Sequence, residues 1–451
     1  MMWTLGKMAL VLAELALLFG GLSLLSRSGR VPAELIRKML HVAMGLTVVG
    51  FPWLFTEDWP VLVLVGLSLV GLVLLRVSRW LRRLFGGVLG GVGRSSLGDL
   101  CFPVSVGVLW LIADGDALLF GVPILVLTLA DATAALIGTR YGSVHYQTRD
   151  GTKSVEGSLA FFVVTFMSVH VPVLLITDTD RLVCLLLGVT IGVLVMLLES
   201  VSWRGLDNVL VPLGTFLALE MYLDASATDL GLRAIAVVTM AGLTLAWRRR
   251  SSMDDTALIL AALFGYAALM QGGWAWLLPP LALFLFHSIR WPAAEHPALH
   301  SVGALLSTLA VGIACLILNT LRPGDVWLLC YTAGFAAHFA IVGVAYSWRP
   351  PAERSVLQRL SDVVWMSLLA WALVVLPVIL SVSPFGEYGQ MVWFGVVCFV
   401  GAVASAGVFQ SLMPRLYAPS ARAGLVQWSA LGLAGACALA VWAAASYLPS
   451  V

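Results

Sequence analysis

Charge is scarce in this sequence: 11% of its 451 residues are Asp, Glu, Lys or Arg, and only Lys7, Lys38 and Lys153 are lysines. A chain that is 60% hydrophobic, with a mean hydropathy of +0.98, cannot hide its apolar side chains in a water-soluble core. A soluble globular protein is excluded and a polytopic membrane protein remains. The net charge of +2 is small, and the basic residues are scattered through loops rather than gathered in a patch, which sets aside a nucleic acid polymer as partner. Cysteine is scarce too: the six, at 101, 184, 315, 330, 398 and 437, form no C-x-x-C pair and have no His at metal-ligand spacing. They read as buried bystanders. The first apolar run, about Met8 to Leu25, contains Glu14 and lacks an A-x-A cleavage pattern, so it reads as a retained helix rather than a signal peptide.

What is present in abundance is apolar sequence of membrane-spanning length, roughly 20 residues per pass. About sixteen runs fit: 8–25, 39–56, 60–75, 100–113, 117–138, 155–176, 182–198, 209–222, 230–247, 256–270, 274–290, 301–320, 326–347, 363–382, 391–413 and 424–447. The predicted fold is therefore an all-α, polytopic transmembrane helix bundle, with 60–75 and 100–113 short enough to be re-entrant. Loop charge tests this division independently, because cytoplasmic loops collect Lys and Arg. Basic loops recur at every second turn of the chain, and 22 of the 26 basic residues fall on one face, the exceptions being Lys7, Arg181, Arg233 and Arg322. The intervening loops are acidic or neutral, as in TEDWP (56–60) and TDTD (177–180). The pattern predicts that the basic face is cytoplasmic and that both termini lie outside. In RVSRWLRRLFGG (76–87) the apolar and arginine residues segregate to two helical faces, which suits a helix lying in the headgroup layer as well as a plain basic loop.

Carboxylates divide the chain in two. Seventeen of the 24 precede Asp254, and the seven from there onward sit in loops or at the ends of runs. The carboxy-terminal half thus lacks a midplane acid, and no internal repeat is evident, which argues against an ion-coupled transporter. The polar stretch WRRRSSMDDT (247–256) is the best boundary, giving a membrane domain over 1–250 and an additional one over 251–451.

Four clusters could carry chemistry. Asp131, in LADATAALIGTRYG (129–142), lies seven residues before the end of its run, roughly 10 Å below the cytoplasmic surface at 1.5 Å per residue. An acid at that depth costs about 2.5 to 3.5 kcal/mol at a helix centre unless a cation, a partner or water compensates it. Ala135, Gly138 and Gly142 follow on the same face and let a helix or a ligand approach closely; packing explains the small residues but not the acid. Next, Lys153 with Arg140 and Arg149 would neutralise phosphate oxygens, while Glu156 could hold a divalent cation or act near a base. Gly157 and Gly151 allow backbone approach to an anion at a helix start. In ESVSWRGLDNVLVP (199–212), Glu199, Asp207 and Asn208 fall in one short interhelical loop, which suits magnesium and nucleotide chemistry and equally suits a turn. In RKMLHVAMG (37–45), Arg37, Lys38 and His41 stand at the entrance of a run; Arg37 and His41 share a helical face, fit either for a pyrophosphate or for anchoring.

All four clusters fall on the same predicted membrane face. A water-soluble phosphoryl donor and an alcohol with a long apolar tail can meet only at such an interface, and phosphoryl transfer needs mainly positioning and charge balance. In RKMLH (37–41), GDLCFPVSVG (98–107), LADATAALIGTRYG (129–142), KSVEGSLAFF (153–162) and ESVSWRGLDNVLVP (199–212), taken in order, the sequence resembles the CTP-dependent polyprenol kinase family, which includes dolichol kinase and phytol kinase. The likeness covers about 35–225 and is absent from 230–451. It implies a lipid kinase that uses CTP and Mg2+ to phosphorylate an isoprenoid alcohol of the phytol, farnesol, geranylgeraniol or dolichol type. It also implies that Asp131, Lys153, Glu156, Asp207 and Asn208 serve CTP and magnesium; the residues themselves make Glu199 a candidate metal ligand beside Asp131 and Asp207. Ala130 departs from the Gly that many relatives carry there. A phosphatidate cytidylyltransferase would show PGHGG and D-R-x-D stretches, and neither occurs; a lipid transporter is the rival from another class. Twenty-three arginines against three lysines point to a GC-rich genome and so toward a bacterial inner membrane.

Overall fold

The computed structural model describes residues 1–78, 97–148, 151–248, 250–251, 253–290, 302–347, 355–381, 388–416 and 425–445. The amphipathic stretch proposed within 76–87 lies mostly outside them, as do Arg149 and the basic loops at 348–354 and 417–424. The chain is an all-α polytopic membrane bundle. Twelve helices among the described residues are long and apolar enough to cross a membrane, and the shorter apolar helix Gly98–Ala113 adds to them.

The chain divides into two compact units, Met1–Gly242 and Leu243–Val451. The first contains α1 (Met2–Arg27), α2 (Ala33–Val49), the one-turn α3 (Phe51–Leu54), α4 (Asp58–Val77), α5 (Gly98–Ala113) and α6 (Ala117–Tyr141). A hairpin of β1 (His145–Thr148) and β2 (Gly151–Ser154) follows, then α7 (Val155–Ile176), α8 (Arg181–Val201), α9 (Asp207–Tyr222) and α10 (Ala227–Trp247). Helix α6 is the hub, packing on α2, α5, α7 and α9. Helix starts are marked by side chains that satisfy otherwise unpaired amides: Asp116 caps α6, Ser154 caps α7 and Asp180 caps α8. Gly45 brings α2 onto α6, since the space a side chain would fill there belongs to Thr128. Glu14, the acid inside the first apolar run, accepts a hydrogen bond from Thr47 Oγ1 at 2.8 Å.

The second unit contains α11 (Asp255–Gly272), α12 (Trp274–Arg290), α13 (Val302–Leu321) and α14 (Asp325–Ser347). They are followed by α15 (Val356–Ala370), which runs through a π-helical turn (Trp371–Val375) into α16 (Leu376–Ser381), and by α17 (Tyr388–Leu416) and α18 (Leu425–Ala445). Its core gathers round α14, where Tyr331, Phe335 and Phe339 meet Phe264, Trp276 and Phe286. Among the described residues of this unit no Asp, Glu, Lys or Arg is buried. In the first unit one such group is: Lys38, 6% exposed.

Candidate functional site

Buried charge requires a partner, and Lys38 finds one across 93 residues of sequence: its Nζ donates to Asp131 Oδ2 at 2.6 Å. The pair joins α2 to α6. Asp131 also faces His41, whose Nε2 stands 3.8 Å from Oδ2 and 3.3 Å from the Leu127 carbonyl. The His41 ring meets the ring of Phe102 edge-on at 5.6 Å. The acid that the apolar run left unexplained is thus held between a lysine and a histidine supplied by the cluster at 37–41.

A second ion pair is built by the hairpin. Its register places Tyr146 opposite Lys153. Tyr146 is buried, and its hydroxyl lies 2.7 Å from Ser158 Oγ on α7 and 3.0 Å from Ser200 Oγ on α8. With the hairpin pinned to both helices, Lys153 Nζ donates to Glu199 Oε1 at 2.7 Å and to the Glu199 carbonyl at 2.6 Å. Burial opposes the charge on Lys153, but the Glu199 carboxylate overrides it and holds the ammonium above the ordinary lysine pKa. Burial, with Glu199 nearby, likewise raises the Tyr146 phenol.

The remaining predicted residues fall around these pairs. Asp207, the first residue of α9, lies within electrostatic reach of both pairs: Asp131 and Lys38, and Glu199 and Lys153. Its carboxylate makes no hydrogen bond or ion pair with a described residue. Among the described residues no three His, Cys, Asp or Glu side chains converge as a ready-made metal cluster; Asp131 and Glu199 are each engaged by a lysine. Arg37 pairs with Glu34 at 2.8 Å and is exposed, and Arg140 is exposed beside the Tyr141 ring. Asn208 serves the turn: its Nδ2 reaches the Gly205 carbonyl at 3.5 Å and its own carbonyl accepts from Ser105 Oγ. That turn uses positive φ at Arg204 and Gly205 (55° and 86°), and the Arg204 carbonyl accepts from the Leu97 amide at 2.9 Å.

Glu156 is engaged locally. Its carboxylate accepts from Ser143 Oγ and from the Val144 amide, the latter at 3.2 Å, so it clasps the foot of the hairpin. The smooth face after Asp131 is filled by helix: a side chain on Gly138 would start 2.9 Å from Ser154 Oγ, and one on Gly157 would lie 3.0 Å from the Ala134 carbonyl and 3.2 Å from Gly138 Cα. Gly157 therefore provides the close crossing of α6 and α7, and its amide is taken by the Ser154 cap at 3.1 Å. Reading the sequence missed Tyr146 and the hairpin itself. The available signal was the run VHYQTRDGTKS, with β-favouring residues on either side of Asp-Gly.

The geometry can hold an anion against two fixed ammonium groups with the Asp207 carboxylate within electrostatic reach of both. A comparison with curated proteins gives a phytol kinase from Synechocystis sp., 34% identical over 196 residues, which cover 43% of this chain and 82% of that protein. No family model matches the sequence, and no solved structure matches it.

Proposed function

The chain belongs to the phytol kinase-like family of polyprenol kinases, and from that premise we propose that it transfers a phosphoryl group from CTP to the hydroxyl of an isoprenoid alcohol at the cytoplasmic face of a bacterial inner membrane. The observation that carries the proposal is the arrangement of the Lys38–Asp131 and Lys153–Glu199 pairs about Asp207. Phosphoryl transfer asks a protein for placement and charge balance rather than covalent chemistry, and this constellation offers cations, acids and rigidity together.

Magnesium fits the donor set through Asp207. Mg2+ is commonly bound by one or two carboxylates with substrate phosphates completing the shell, so a three-carboxylate cage is not needed. When bound, the ion would neutralise developing charge on the nucleotide phosphates. The chain's own residues do the rest. Lys153, kept charged by Glu199, attracts phosphate oxygens; exposed Arg37 and Arg140 add charge at the rim. Asp131, oriented by Lys38 and flanked by His41, accepts the proton of the attacking hydroxyl. Glu156 keeps the hairpin foot closed so that Lys153 stays in place, and Asn208 fixes the turn that presents Asp207. We assign this activity to 1–250 and treat 251–451 as an additional membrane domain.

The test is purified protein with labelled CTP, Mg2+ and a panel of phytol, farnesol, geranylgeraniol and dolichol. A phosphorylated alcohol is expected; a CDP-lipid would make the protein a cytidylyltransferase, and no product with any acceptor would favour the transporter. Asp131→Asn is expected to abolish transfer while the protein still accumulates in membranes. Wild-type turnover by that variant removes Asp131 from the chemistry.

A further inference from the structure

A prenyl alcohol has one polar atom and a long branched tail, and the site described above accounts only for the polar atom. An apolar cleft with about 40 Å3 of accessible space, open on one side, runs between α1, α2, α4 and α5. Val11, Met44, Val48, Leu64, Phe102 and Val106 are among the residues that line it. Its two hydroxyl-bearing residues are already bonded: Ser68 Oγ donates to the Leu64 carbonyl at 2.8 Å, and Thr47 Oγ1 reaches Glu14 and the Ala43 carbonyl. Neither hydroxyl needs a polar occupant.

The cleft is continuous with the acid site in two ways. Phe102 lines the cleft and holds the His41 ring edge-on. On α2, His41, Met44 and Val48 stand at i, i+3 and i+7, one helical stripe that descends about 10 Å from the imidazole into the apolar layer at 1.5 Å per residue. His41 in turn stands 3.8 Å from Asp131. Resting on the kinase reading, we infer that this cleft seats the isoprenoid chain of the acceptor alcohol, with the hydroxyl at His41 and Asp131 and the tail along Met44 and Val48. Tail length is then read by how far the chain reaches along α2.

Val48→Trp in the full-length protein would fill the deep end of the cleft, and Leu46→Trp, at a position 49% exposed on the outer face of the same helix, serves as control. The KM for geranylgeraniol is expected to rise about tenfold or more in Val48→Trp. The KM for the five-carbon alcohol 3-methylbut-2-en-1-ol, too short to reach residue 48, and that for CTP should stay at wild-type values, as should all three in the control. A wild-type protein that phosphorylates no prenyl alcohol overturns the kinase reading and this occupant with it. An active wild type in which Val48→Trp spares both alcohols, or impairs both equally, overturns the cleft alone. Should the tryptophan variant fail to fold, a geranylgeraniol analogue with a diazirine at its tail decides the matter on wild-type protein. Labelling of α2 or α5 peptides that excess geranylgeraniol suppresses supports the seat, whereas labelling elsewhere, or labelling it does not suppress, overturns it.

Discussion

Removing either member of the Lys38–Asp131 pair should cost far more than removing both. At 2.6 Å and an effective dielectric near 20, the attraction is roughly 6 kcal/mol. Desolvation of two ions, several kcal/mol each, offsets most of that, so the intact pair is close to neutral in net stability. Lys38→Met leaves the Asp131 carboxylate without its ammonium, and Asp131→Asn leaves an ammonium that is 7% exposed facing a neutral amide. Each single change should destabilise by about 3–5 kcal/mol, with Lys38→Met at the lower end because Asp131 keeps 20% exposure and His41 beside it. The double variant removes both charges and should be less destabilised than the worse single one. The assay is reversible unfolding in mixed micelles near neutral pH for all four proteins, with CTP-dependent turnover measured in parallel. A coupling energy larger than the cost of the milder single change, and so above about 3 kcal/mol, is expected, alongside a double variant that is stable and inactive. Additivity within about 0.5 kcal/mol would refute the claim that the two charges are held by each other.

Lys153 sets a pH window. Its folded pKa is raised above 10.5, with Glu199 overriding the effect of burial, so its contribution is complete below 10.5 and is lost as pH rises through the folded value. The stability gap between wild type and Lys153→Met should be flat from about pH 6 to about pH 9 and narrow only beyond the ordinary lysine range; a gap that closes near neutrality would contradict the pairing. Gly157→Ala presses a methyl against the Ala134 carbonyl at 3.0 Å, and thermal unfolding should show a loss of about 1–3 kcal/mol with reduced turnover, while unchanged stability would mean that the α6–α7 crossing is looser than described. Tyr146→Phe removes one hydroxyl, but Ser158 still donates to the Ser154 carbonyl and Ser200 to the Met196 carbonyl. The expected cost is therefore about 1 kcal/mol in equilibrium unfolding, and a loss several times larger would show that the phenol does more than pin the hairpin.

Hydropathy made the helices legible, because a lipid-facing backbone must satisfy itself internally and an apolar run of sufficient length has few alternatives to helix. It also singled out Asp131, whose cost in that setting demanded compensation. Its partner was not legible. Lys38 lies 93 residues away, and nothing in RKMLH distinguishes a lysine that turns inward from an arginine that anchors; the distinction rests on Gly45 drawing α2 onto Thr128 of α6. Glu156 shows the opposite case. A carboxylate in the first turn of a helix beside a basic loop reads as a ligand or a base, yet the hairpin, invisible to helix periodicity, brings Ser143 and Val144 to it and makes it a clasp. Asp207 and Asn208 were ambiguous between turn and site: Asn208 Nδ2 reaches the Gly205 carbonyl, while the Asp207 carboxylate has no hydrogen bond or ion pair with a described residue.

The three lysines make the division of labour between basic residues visible. Arginine, by far the commoner cation here, populates the loops whose charge sets topology. Each lysine instead reaches a single residue: Lys7 the Leu54 carbonyl at 2.6 Å, Lys38 the Asp131 carboxylate, Lys153 the carboxylate and carbonyl of Glu199. The chemistry of the two side chains accounts for this. A guanidinium is planar and forked, suited to the interface and to exposed anions, whereas an ammonium is a compact point charge that enters a narrow space between helices on a slender stem. Two of these point charges lie within electrostatic reach of Asp207, and each is already partly neutralised by a carboxylate. In the proposed reaction an incoming polyphosphate would therefore meet positions that are fixed before it arrives and a local charge that is only partly positive, so that a divalent cation accompanying it would be attracted by the acids rather than expelled by the lysines. A site made of lysines alone would bind the anion and repel the metal; a site made of carboxylates alone would do the reverse. In the proposed reaction, interleaving them on α2, α6, the hairpin, α8 and α9 is what would let one pocket accept both.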